Sequence, residues 1–587
     1  MRISVVGAVV AVSLAWAGAA FAQAPGYKTI TPNPAARTVV LTGDDLTPEQ
    51  VVQVARYGAK VEVSAAAKKR GSDTYNLMME GAAEGMPVYL FNRGAGSGRE
   101  TQLFVGSPLS AENRPVLEAR ALRQFQNGAR GGAGPEVAEE EVTRAQMVVR
   151  INGLTYEAGS PQLLQGLVDL LNARITPVVQ TRGGSGEADG PYNGNTNAAL
   201  VGVGQVYMGG VRMPAAQALA AAGLKPITPG GGDTTVSTTN AWVTGQAALL
   251  VADGREALEW ADLVYAVDLA AMNSSLTPLF APVQVNRPFP WLNWQAKRVL
   301  DMLKGSYLFN DDPKRIIQDP ESLRASAIRT GSAWQAWAHL NETVRIQLNH
   351  SDHNPVVKIG MDKGDAWELA TPQAQKYFVK GGPLSNGQHG FIFSNANWDW
   401  YPVGNEVEAF TNALANLDVA VLLRNDRFTN TFFTVIRPAE VLSPEQIAGA
   451  PPTGQAKVMT DIWQDVQGWA VPVPASGLAI ISTVEDLQGQ TRLKVGRARA
   501  AVEATFQLLG HDLLTGAYWM DVRKAQDPTR TFGPGPTAVH AALRRVFPWN
   551  APAAPDGAPN VTIQVTDFMR ANPAAGFSPP APPMPAH

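Results

Sequence analysis

Arg324 is the residue whose setting says most about chemistry. It closes the run Gln318-Asp319-Pro320-Glu321-Ser322-Leu323-Arg324. Pro320 suits a first helical position, where its missing N–H costs nothing. That places Arg324 on an early helical turn, held by rigid backbone and able to grip a carboxylate through two parallel N–H···O bonds. The plainer alternative is a surface arginine near a helix start. Glu321, three residues earlier, shares that helix face and can pair with it. Elsewhere, His350-Ser351-Asp352-His353 puts three potential zinc ligands in four residues, with His389 a distant fourth. Gly94-Ala95-Gly96-Ser97-Gly98 lacks the strand–turn–helix setting of a dinucleotide site, and no Gly-x-Ser-x-Gly elbow occurs. The chain has no cysteine, which excludes thiol nucleophiles, thiolate metal sites and disulfides.

The elements that must position these residues are mostly helices. Thr47-Pro48-Glu49-Gln50 reads as a capped helix start, with Gln50 returning a bond to Thr47. Val88-Tyr89-Leu90-Phe91 is strand-like and runs into an Asn92–Gly96 loop. Residues 127–135 and 180–197 are Gly- or Asn-rich, the former a flexible loop. Between them a helix carries Leu163, Leu164, Leu167, Leu170 and Leu171 on one face. From about residue 245 the pattern is strongly helical: Val407, Phe410, Leu414, Leu417 and Val421 form one seam, and Val502, Phe506, Leu509 and Leu513 another. Seams of this spacing predict long helices packed nearly parallel or antiparallel. Residues 551–587 are rich in Pro and Ala and read as an extended or disordered tail.

Composition bounds the rest. Hydrophobic residues make up 45% of the 587 and charged residues 17%, enough apolar material for large cores. A net charge of −3 argues against a nucleic-acid binder. Arg2, an apolar run from Ile3 to Ala20 and Ala20-Phe21-Ala22 predict a signal peptide over 1–22 and export, most simply to a bacterial periplasm. A membrane anchor is the rival reading of that run. The organisation read from the sequence is a Pro-rich entry (23–40), an N-terminal region with site loops (41–240), a helical bundle (241–550) and the tail.

The ordered landmarks resemble the aromatic amino acid ammonia-lyase superfamily, which includes the histidine and phenylalanine enzymes. The Arg324 run is similar to its Gln-Asp-x-Tyr-Ser-Leu-Arg signature, with Glu321 in place of the Tyr. Tyr89 with Asn92, Gly94 and Gly96 resembles its Tyr-Gly-x-Asn-Thr-Gly-Phe-Gly loop, and Leu171 to Val179 the helix end before its cofactor loop. Ser394-Asn395-Ala396-Asn397 through Val403 is similar to its Ser-Gly-Gly-Asn-Phe-His-Gly-x-Pro-Val, Asn349 through Pro355 to its Asn-Pro loop, and Val484-Glu485-Asp486 to its Gln-Glu-Asp. Ser237-Thr238-Thr239-Asn240 replaces its Asn-Gly-Thr segment, and the His that selects substrate has no counterpart near Ala129.

The resemblance implies a mainly α fold: a long-helix bundle with a smaller mixed α/β N-terminal region, assembled as a homotetramer whose sites combine loops from several subunits. It implies Tyr89 as base, Arg324 as carboxylate clamp, Asn397 fixing substrate geometry and Glu485 near the leaving amine. It also implies MIO, a methylidene-imidazolone formed autocatalytically from Ala-Ser-Gly. The nearest counterpart is Gly184-Ser185-Gly186, yet ungapped spacing from the preceding helix puts Glu187-Ala188-Asp189 at the tripeptide, and spacing back from Gln205 puts Asn193-Gly194-Asn195 there. The expected function is an exported lyase that takes an amine from an aromatic or similarly planar amino acid, leaving an α,β-unsaturated acid. Two alternatives stay open. One is an MIO-less Tyr-based lyase or isomerase using Glu321, Tyr89 and Arg324; the other is a non-catalytic ligand-binding protein of the same fold.

Overall fold

The computed structural model describes residues 26–186, 188–448, 455–474, 477–481, 484–548 and 560–585. The signal peptide expected over 1–22 lies outside them. Four long helices make the bundle: Ala241–Met272, Ser326–Gln347, Tyr401–Arg427 and Thr491–Gln526. The first packs against the second and fourth, and the third lies against the second and fourth. Both seams read from the sequence face inward, every residue in them buried. Ala241–Met272 is buried on nearly all sides, as befits a helix apolar around its whole circumference. Beside it, Trp291, Trp294, Trp334 and Trp337 form an edge-to-face ladder with successive ring centroids 5.7, 5.2 and 5.5 Å apart.

The N-terminal part is smaller and mixed. Thr47 caps Pro48–Ala55 with both bonds of the capping box, as its sequence predicts. Val39–Leu41 and Val61–Val63 pair in parallel, and Ile175–Pro177, Gln205–Met208 and Val211–Pro214 form an antiparallel sheet. The leucine face of Pro161–Asn172 is buried.

Four local readings are corrected. Val88–Phe91 is a turn and not a strand, because the Asn92 side chain folds back on it. Asn92 Oδ1 accepts from Val88 N–H at 2.7 Å, Nδ2 donates to the Met86 carbonyl at 2.7 Å, and Leu90 takes φ +62°. The loop at 127–135 ends in a strand, Ala133–Glu136, paired with Gln180–Arg182. Asn195 Nδ2 donates to the carbonyls of Gly128 and Gly131, at 2.9 and 3.0 Å, and so fixes the glycines. Pro320 is the residue before the first helical one, not the first. Over its described residues, 560–585, the tail is neither wholly extended nor disordered: Val561–Ala571 is a helix whose Val565, Phe568 and Met569 are buried. Trp260 Nε1 donates to the Met569 carbonyl at 3.2 Å and Trp294 Nε1 to that of Pro582 at 3.0 Å, which docks the segment on the bundle.

Candidate active site

Tyr89 stands half-buried on the turn that Asn92 clasps, and the turn is braced from outside. Thr234 Oγ1 donates to the Leu90 carbonyl at 2.7 Å and Arg120 to that of Phe91 at 2.9 Å. The glycine loop that follows doubles back tightly: a Cβ on Gly94 would lie 2.4 Å from the Gly98 carbonyl oxygen. Gly96, at φ +54°, then packs against Ile481. Ile481 follows Ile480, whose N–H donates to the Glu485 carbonyl at 2.8 Å in an isolated antiparallel bridge. This packing brings Glu485 to Tyr89. The two share a cavity of about 380 Å³ with Arg93, Arg99 and Glu100. Burial pushes the Glu485 carboxyl above its ordinary range. A carboxyl so placed holds a proton more readily.

The opposite wall comes from Thr238, Asn354, Asn395 and Trp398. These are stitched together: Thr238 Oγ1 donates to the Asn354 carbonyl at 2.7 Å, and Asn395 N–H to Asn354 Oδ1 at 3.1 Å. Asn240 donates to the Trp398 carbonyl. Asn397 is exposed and does not border the cavity; Asn395, two residues earlier in the same motif, does. Tyr377 also lines it, and no motif pointed to that residue.

Arg324 and Glu321 lie elsewhere. They border a second cavity of about 460 Å³ together with Gln284 and Arg287. Arg324 Nε donates to the Asp319 carbonyl at 2.6 Å, and no ion pair joins Arg324 to Glu321 among the described residues. One chain therefore brings Tyr89 and Glu485 together and keeps Arg324 apart from them.

The segment read as a candidate cyclising tripeptide borders neither cavity. Gly184 and Ser185 line a third, with Gln488 and Arg492. Gly184 N–H donates to Tyr192 Oη at 2.8 Å, the Ser185 carbonyl accepts from Gln490 N–H at 3.0 Å, and a Cβ on Gly186 would sit 2.5 Å from Gln490 N. Ala188 does line the Tyr89 cavity. Ala188 and Asp189 are both left-handed, at φ +57° and +40°, a costly conformation for side-chain-bearing residues. Asp189 is wholly buried at the start of helix Gly190–Leu200, where Oδ2 accepts from Val243 N–H at 3.1 Å, and burial lifts its carboxyl to about 8. MIO needs a serine whose hydroxyl is lost, presented to the substrate. The residues here do not fit it, since the turn at the Tyr89 cavity presents Ala188 and the Gly-Ser-Gly segment faces another way.

The histidine cluster is occupied by other work. Both ring nitrogens of buried His353 meet carbonyls, those of Pro355 and Thr235, at 2.9 and 2.8 Å. His350 sits outside, beside Tyr156 and Asp44.

Residues 46–545 match the family model for aromatic amino acid lyases. A probable histidine ammonia-lyase of Halobacterium salinarum is 27% identical over 91% of this chain and 96% of its own length. A histidine ammonia-lyase of Treponema denticola is 31% identical over 55% of the chain and 62% of its own length. Among solved structures, the ergothioneine-degrading enzyme ergothionase of Treponema denticola has a TM-score of 0.75 at 23% identity, covering 91% of this chain and 99% of that one. Histidine ammonia-lyase of Trypanosoma cruzi has a TM-score of 0.73 at 17% identity, covering 92% and 96%. The chain belongs to the aromatic amino acid lyase family and is a carbon–nitrogen lyase.

Proposed function

We propose that the enzyme eliminates an amine from an amino-acid-type substrate with a planar, imidazole-like side chain, and does so without MIO. The observation that carries this is the meeting of Tyr89 and Glu485 in one cavity whose facing turn presents Ala188. Tyr89 takes the proton from the carbon next to the ring, the C–N bond breaks, and its electrons leave with the amine as the new double bond forms. A tyrosine ordinarily ionises near 10, so having it ready as a base at pH 7 costs about 4 kcal/mol. Glu485 stands ready to accept a hydrogen bond from the departing ammonium group. The planar side chain spreads the charge developing on carbon, which favours substrates of that class. The names of the histidine ammonia-lyase and ergothionase relatives support an imidazole ring, and Glu321 supplies an acceptor for a ring N–H.

Arg324 grips the substrate carboxylate. Because it borders a different cavity from Tyr89, the complete site joins the Tyr89 cavity of one copy to the Arg324 cavity of another, within a homotetramer. Export after cleavage at Ala22 is part of the same reading, supported by the Arg2 and apolar-run pattern; a mature protein beginning at Met1 would remove it. The direct test incubates purified protein with L-histidine, ergothioneine, L-phenylalanine and L-tyrosine, and follows the near-ultraviolet absorbance of a conjugated acid. Turnover of an imidazole substrate, lost in Tyr89→Phe with binding retained, is expected. Turnover of none of the four, or a Tyr89→Phe variant as fast as the parent, overturns the reading.

A further inference from the structure

Arg324 rides on a helical turn of only four residues, Glu321–Arg324, too short to hold its own shape. The bundle beneath supplies what it lacks. Tyr265, fully buried on Ala241–Met272, donates Oη to the Leu323 carbonyl at 2.7 Å. Ser326 Oγ donates to the Ser322 carbonyl at 2.6 Å and accepts from Arg424 Nη1 at 3.1 Å. Arg424, also buried, is held in turn by Asp512 at 2.9 Å and by Asp268. Asp268, Arg424 and Asp512 stand on three different long helices. The two carbonyls just before Arg324, those of Ser322 and Leu323, are thereby tied to the middle of the bundle. A buried charge cluster is a poor source of stability, since desolvation offsets most of the attraction. Its geometric effect is the stronger one here.

We propose that Tyr265 and the Arg424–Ser326 link are positioning residues that set the direction of the Arg324 guanidinium toward the substrate carboxylate. The inference rests on Arg324 being the carboxylate grip. Tyr265→Phe keeps the ring and deletes one tether; Ser326→Ala deletes the other without removing a buried charge. Hydrogen exchange read on peptides spanning 320–327 of the full-length protein should be roughly five-fold faster in either variant, the fold-change of one lost hydrogen bond, while helix 330–345 exchanges as before. With the imidazole substrate, KM should rise about ten-fold with kcat within two-fold, a split that general destabilisation would not give. In an Arg324→Ala background the same substitutions should leave KM where Arg324→Ala put it. Unchanged exchange in both variants overturns the inference whatever the kinetics. Faster exchange with unchanged KM, while Arg324→Ala raises KM, overturns it too. An unchanged KM in Arg324→Ala overturns the grip beneath it, and the inference with it.

Discussion

Separate cavities for Tyr89 and Arg324 make a prediction that single substitutions cannot deliver. Tyr89→Phe removes the base, and loss of a positioned base costs roughly 10²–10⁴-fold. Arg324→Ala removes a charge-assisted pair worth about 3 kcal/mol, roughly 10²-fold in kcat/KM. Each variant alone is then nearly inactive. If one chain supplied both groups to one substrate, mixing the variants would recover nothing, because every chain carries a lesion in its own site. The structure puts Tyr89 and Arg324 in cavities of about 380 and 460 Å³ with no shared lining residue. A site built across copies needs an intact Tyr89 from one chain and an intact Arg324 from its neighbour. After dissociation and random reassembly of equal amounts, about one quarter of sites have both. The assay is turnover of the imidazole substrate after co-refolding, with mixed oligomers verified by native mass spectrometry. Recovery near a quarter of the parent rate is expected. Mixed oligomers at the background rate of the separate variants would refute the composite site.

Three further outcomes follow from individual residues. Ser185→Ala should leave turnover unchanged, and the parent's Gly183–Arg212 tryptic peptide should have its unmodified mass; a mass lower by the two waters that ring closure and serine dehydration expel would contradict the MIO-less reading. Phe568→Ala should lower stability by about 3 kcal/mol, read as a lower urea midpoint, because that ring packs against Trp260 at a centroid distance of 6.2 Å. Asp189 keeps a proton in the fold up to about 8 that the unfolded chain gives up near 3.8. Its contribution to stability is therefore full below pH 4 and lost as pH rises through 8. Asp189→Asn, which cannot ionise, should flatten that part of the fall in urea midpoints; an unaltered pH profile would show that the carboxyl is not buried as described.

The bundle was legible because its seams repeat at helical spacing over many turns, where local exceptions average out. Short segments were not, because single side chains decide them. Val88–Phe91 has strand composition, yet Asn92 closes a turn through two hydrogen bonds that composition does not reveal. The tail averages to Pro and Ala, but Val565, Phe568 and Met569 recur at spacings of three and one within it, enough for one buried helical stripe. At the site, the ungapped count that put Glu187-Ala188-Asp189 at the cofactor position came nearer to the cavity than Gly184-Ser185-Gly186 did. Residue chemistry favoured the segment with serine; chain geometry favoured the one with alanine. Asn397 and Asn395 show the same limit, since a motif match fixes a loop but not which of its two asparagines turns inward.

The tryptophan ladder gives this protein an optical property of its own. Neighbouring indoles held edge to face at 5.2 to 5.7 Å share their electronic transitions. Coupled transitions add to the circular dichroism a pair of opposite-signed bands that an isolated tryptophan does not show. Two of the four, Trp291 and Trp294, flank Leu292, which lines the Arg324 cavity. Filling of that cavity would register in the ladder's spectrum, a label-free signal for occupancy where no tyrosine lines the wall.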